Sequence, residues 1–64
     1  MRIMATFIGK DGSCGYSKGA DYVLTIGVTV SDNIYIVRPD ESGYCEYSTV
    51  ITFLHNWSNI NTLS

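Results

Sequence analysis

Charge is what this 64-residue chain has least of. Charged residues make up 16% of it, four Lys or Arg against six Asp or Glu, for a net charge of −2. The four bases, Arg2, Lys10, Lys18 and Arg38, are spread along the chain rather than clustered. Neutralising phosphates needs a basic footprint, so no nucleic-acid partner is expected. No apolar run approaches the roughly 18 residues that argue for a membrane span, and the amino terminus lacks the apolar core of a signal peptide. The expectation is a protein of the cytoplasm with no membrane partner. The single histidine, His55, and the two cysteines, Cys14 and Cys45, give no short metal-ligand spacing, and no cofactor motif is present. The cysteines could close one disulfide in an oxidising compartment. Without a leader, both are expected as reduced thiols, Cys45 packed and Cys14 exposed.

What is present suits one compact domain over residues 1–64. Hydrophobic residues make up 45% of the chain, with five tyrosines, two phenylalanines and one tryptophan. A chain this short buries only about 60% of its unfolded surface, too little to divide into two cores. Amphipathic rings serve interfaces as well as interiors.

The residue pattern is mainly β. Residues 3–8 form a short apolar run ended by Gly9, a first strand. Tyr22, Leu24, Ile26, Val28 and Val30 alternate with Val23, Thr25, Gly27 and Thr29, the period of two expected of a pleated strand with one buried face. Gly27 inside that run suggests a bulge or bend. Ser31-Asp32-Asn33 is a turn, and residues 34–37 resume β-type sequence, so strands two and three make a hairpin. A second turn spans residues 39–43, followed by a short fourth strand over 44–47. From Ser48 the period changes. Val50, Ile51, Phe53, Leu54, Trp57 and Ile60 recur at spacings of three and four, with Ser48 or Thr49 as cap, which predicts a terminal amphipathic helix of about three turns. Its stripe should cover the open face of the sheet, with Trp57 in the core, and Asn59 and Asn61 should fray. The architecture expected is a small antiparallel SH3-like barrel or bent four-stranded sheet with a short C-terminal helix. The alternative is a flat meander with the helix on one face.

Residues 9–19, a stretch that holds four of the six glycines, are the expected place for function. It is not a phosphate loop of the Walker type, because that pattern runs from strand into helix and needs Ser or Thr after Gly-Lys. A looser nest of backbone amides would suit an anion. Tyr16 lies between glycines with nothing periodic to bury it, and is expected as an exposed contact of the kind that dominates binding hot spots. Lys10, Asp11, Ser13 and Lys18 surround it, and Tyr44 or Tyr47 would extend an aromatic surface. No catalytic constellation is visible: His55 reads as a solvated helix residue, and a cysteine nucleophile would need it within hydrogen-bond reach.

Phe7-Ile8-Gly9-Lys10-Asp11-Gly12-Ser13, then Gly15-Tyr16, Gly19, Tyr22 and Leu24, followed by Tyr44-Cys45, Tyr47-Ser48, Phe53-Leu54 and Asn56-Trp57, resemble a group of tiny proteins carried by phages and prophages of Gram-positive bacteria. The resemblance covers nearly the whole chain, with Glu46 standing where proline is expected. It implies an accessory protein, without enzymatic activity, that binds and disables a host component such as a defence system. The alternative is a binder of a small nucleotide-like anion, with the loop amides and Lys10 or Lys18 as its cradle. A third reading is a homodimer formed by an edge strand pairing with a copy of itself.

Overall fold

The computed structural model describes residues 1–39 and 43–63. Five strands form one antiparallel sheet: β1 Arg2–Phe7, β2 Asp21–Val28, β3 Ile34–Val37, β4 Cys45–Tyr47 and β5 Trp57–Thr62. The sheet order is β4-β3-β2-β1-β5. Among the described residues one α-helix, α1 Val50–Asn56, lies between β4 and β5 in sequence, and a short 3-10 turn covers Ser13–Gly15. The first four strands are a meander. The chain then passes from the β4 edge, through α1, to the far side of β1.

The alternation that predicts β2 also sets its register. Leu24 stands opposite Ile3, and Ile26 opposite Ile36, so these side chains share one face, while Val23, Thr25 and Gly27 turn to the other. The inward set forms one cluster in which Phe7, Leu24, Ile36 and Trp57 are the most deeply buried large side chains. On the outer face the Tyr35 ring lies over Gly27, where a Cβ would come within 2.6 Å of the ring. Gly27 therefore admits a neighbouring aromatic ring, and the register runs through it to β3 without a bulge. The hairpin turn forms at Ser31-Asp32-Asn33. Thr29 Oγ1 accepts from the amides of Ser31 and Asn33 at 3.3 and 3.2 Å, and Asp32 takes the left-handed conformation at φ 65°. Residues 40–42 of the expected second turn lie outside the described residues.

Three expectations are corrected. The sheet is open, not an SH3-like barrel: β5 occupies the second edge of β1, and the ends β4 and β5 are not joined. The helix has seven residues rather than about three turns, and it is not terminal. Thr49 caps its start, Oγ1 accepting from the Thr52 amide at 3.0 Å, and Asn56 closes it by donating from Nδ2 to the Thr52 carbonyl at 2.8 Å. Beyond Asn56 the backbone is extended, because Phe7, Thr6, Met4 and Ile3 offer Trp57, Ser58, Asn61 and Thr62 a ladder. The register shifts once between Met4 and Thr6, and Asn59 sits there at φ 52°. The stretch that was expected to fray is thus a strand.

The third correction concerns the thiols. Cys14 and Cys45 are joined in a disulfide, with Cα atoms 6.2 Å apart, inside the usual range of roughly 4.4–6.8 Å. The loop between β1 and β2 folds back over the sheet and carries Cys14 to β4, a proximity that a separation of 31 residues conceals. The pairing corrects the expectation of two reduced thiols, and disulfides of this kind persist in oxidising surroundings. Among the described residues, no helix is long and apolar enough to cross a membrane.

Candidate functional site

The loop over residues 9–19 owes its shape to its glycines and to one aspartate. Gly12, Gly15 and Gly19 adopt φ 87°, 81° and 88°, the left-handed region that a Cβ disfavours. Asp11 accepts from the Lys18 amide through Oδ1 at 2.9 Å, closing the loop across its neck. The amides of Gly12, Ser13, Gly15, Tyr16, Gly19 and Ala20 donate to backbone carbonyls of Tyr16, Lys10, Gly12, Ser13, Phe7 and Ser17. The Ser17 amide donates to Tyr22 Oη at 2.8 Å. These donors are committed inside the protein, so they do not form an outward-facing nest for an anion. A loop bonded in this way holds one conformation, and the disulfide fixes its tip to β4. Cys14, at φ 53° and ψ 22°, takes a backbone conformation uncommon outside glycine.

Tyr16 is not the exposed contact expected of it. It is 3% exposed and belongs to the core. Its ring centroid lies 4.9 Å from Trp57, 4.9 Å from Tyr22 and 5.6 Å from Phe7, the first two edge-on. The Arg38 guanidinium sits 4.8 Å above the same ring and 5.9 Å from that of Tyr22. The loop therefore plugs the sheet with a tyrosine and turns its other side chains outward. Lys10, Asp11, Ser13 and Lys18 are all exposed.

The two aromatic candidates part company. Tyr44 is exposed and edge-on to Tyr35 at 6.1 Å. A hydrogen bond with Glu46, reinforced by that carboxylate's charge, raises its phenol above the ordinary value. Asn33 Nδ2 donates to the same carboxylate at 2.9 Å. Tyr47 turns inward: its hydroxyl accepts from Trp57 Nε1 at 3.0 Å, and its ring packs edge-on against Phe53 at 5.8 Å. Burial raises its phenol, while the Trp57 hydrogen bond works in the opposite direction. Tyr47 is a framework residue, and Tyr44 is the member of the pair that an approaching molecule can touch.

The structure brings the loop and Tyr44 to one side. Cys14, Tyr16, Arg38, Gly43, Tyr44 and Cys45 line a shallow recess of about 180 Å³. Lys10, Asp11, Ser13 and Lys18 belong to the same pinned loop. Sequence reasoning missed Arg38 in this group, since only the tertiary fold sets β3 beneath the loop. It also missed the link between the cysteines, for which a pair of cysteines in so short a chain was the available signal. His55 is exposed on α1, and both sulfurs are held in the disulfide, which removes the thiol nucleophile. Among the described residues, no group of three His, Cys, Asp or Glu side chains is placed to hold a metal ion. Compared with known proteins, the chain matches no family model, no curated protein and no solved structure.

Proposed function

We propose that the chain is a non-enzymatic protein-binding module that occupies a host protein. This is the role implied by its resemblance to phage and prophage accessory proteins. The recognition surface is the exposed side of the pinned loop, Lys10, Asp11, Ser13 and Lys18, continued across the disulfide by Tyr44. One observation carries the reading: the loop is rigidified twice, by internal hydrogen bonds and by the Cys14–Cys45 link, while its polar side chains stay in solvent. Binding through a preorganised loop avoids much of the entropy cost of ordering a mobile one. Loops on a firm scaffold are where recognition residues concentrate. The amides of Gly12, Ser13 and residues 15–19 are spent internally, which favours contacts through the exposed side chains and so a protein surface over a small anion. Disabling a host factor or host defence requires no more than such occupancy.

The test is affinity capture from host lysate by the oxidised chain, run beside a Lys10→Ala/Lys18→Ala variant and a Tyr44→Ala variant. A specific partner recovered by the native chain and lost with the variants supports the reading. Equal recovery by all three, or no specific partner at all, refutes it.

A further inference from the structure

We propose that two copies of this chain associate through the outer surface of α1 and the open edge of β5, a surface without Asp, Glu, Lys or Arg and distinct from the exposed side chains of the pinned loop. Every Asp, Glu, Lys and Arg side chain of the protein lies within residues 1–46, and none occurs from Tyr47 onward. That final stretch supplies α1 and β5, which pack on one another. Its outer side mixes polar Thr52, His55, Asn59, Asn61 and Thr62 with large apolar side chains. Phe53 turns into the core, whereas Val50, Ile51 and Leu54 are 58%, 67% and 49% exposed. Those three are neighbours on the helix surface by their spacings of three and four residues. Ile60 and Leu63 add exposed apolar side chains beside the same edge. A helix with large apolar side chains on both sides favours a covered setting, and the single chain buries only one side.

The occupant follows from charge and size. A surface without Asp, Glu, Lys or Arg offers little for a charged foreign partner to complement, but it can meet itself across a two-fold axis with none of those charges opposed. The opposite edge of the sheet does not compete: β4 has three residues and carries Glu46, both features that discourage edge pairing. A stable interface removes roughly 800 Å² per partner, about one fifth of the 4066 Å² surface of this chain. Helix α1 and strand β5 are mostly exposed, so a contact of that size has to engage most of their outward side chains. The bulge at Asn59, whose carbonyl accepts from Asn61 Nδ2 at 3.0 Å, interrupts the open ladder. Side chains of α1 and β5, rather than a continuous added strand, therefore make the contact.

The experiment is analytical ultracentrifugation of the full oxidised chain over a concentration series. It is run beside Ile51→Lys/Leu54→Lys, and beside Val28→Lys as a control at an exposed apolar position on β2. The native chain and the Val28 control are expected to form dimers. The helix variant, whose substitutions lie in solvent, keeps its circular dichroism while its dimer dissociation constant rises by about tenfold or more. A native chain that stays monomeric at every concentration overturns the proposal. So does a folded helix variant that dimerises as tightly as the native chain, or a Val28→Lys chain weakened as much as the helix variant. Intermolecular contacts measured by NMR in a half-labelled native sample answer without substitution: they fall on α1 and β5, or the proposal fails.

Discussion

Replacing Tyr16 with alanine removes the residue that ties the loop to the sheet. The side chain is 3% exposed and edge-on to both Trp57 and Tyr22, with Phe7 beside it and Arg38 above. Truncating a buried large aromatic side chain costs roughly 3–5 kcal/mol, because transfer energy is lost and a cavity remains. A domain of 64 residues holds only about 3–10 kcal/mol in total, at roughly 0.05–0.15 kcal/mol per residue. Loss of 3 kcal/mol is therefore expected to lower Tm by roughly 12–24 °C, taking about 4–8 °C per kcal/mol for small domains. A cost of about 5 kcal/mol exceeds the whole stability at the lower end of that range and about halves it at the upper end. Urea unfolding followed by Trp57 fluorescence gives the midpoint, and an unchanged slope certifies that the native compactness is preserved. Trp57 reports directly, since Tyr16 is one of its ring partners. A stability change within about 0.5 kcal/mol, typical of surface substitutions, would refute the placement of Tyr16 in the core.

Three further outcomes follow from other contacts. Reducing the Cys14–Cys45 disulfide should lower stability by about 3.7 kcal/mol, the chain-entropy value for a 31-residue separation; reduction that leaves the urea midpoint unchanged would show that the link constrains nothing. Tyr47 has a phenol raised by burial, so the stability it contributes is complete below the ordinary value near 10 and lost as pH rises through the higher native value. Unfolding free energy should accordingly fall on alkaline titration above pH 10, and Tyr47→Phe should flatten that fall. Thr49→Ala removes the cap of α1 and should cost about 1 kcal/mol, with Thr49→Ser restoring most of it; equal stabilities in thermal melts would discount the cap.

Much of the sheet was legible because alternation is a local property. β3 matches its expected span of residues 34–37, β2 matches within two residues, and the turn at Asp32 follows from short polar side chains. Trp57 was expected in the core and is 1% exposed there, although it belongs to a strand rather than a helix. β5 was hidden because Trp57 and Ile60 continue the helical spacing of Phe53 and Leu54. Spacing cannot tell that β1 has an unfilled edge or that Asn56 closes the helix. The same pattern led to the expectation of a fully covered stripe, whereas a two-turn helix over so small a core turns only Phe53 inward.

The loop of the candidate site was legible in outline, and the burial of Tyr16 at its centre was not. The glycines marked a structured loop, and Lys10, Asp11, Ser13 and Lys18 do face solvent. Tyr16 was misread because burial of a loop residue depends on the loop folding back over the sheet, which leaves no periodic trace. The pairing of Cys14 with Cys45 and the station of Arg38 above Tyr16 are long-range outcomes of that same fold-back.

The most direct test of the loop as a recognition surface is to measure capture of the partner by the native chain and by Lys10→Ala/Lys18→Ala at matched stability. Both lysines are exposed, so the substitution should leave the urea midpoint within about 0.5 kcal/mol of native. The predicted result is a partner bound by the native chain and lost by the variant at that unchanged stability. A variant that binds its partner as tightly as the native chain contradicts it.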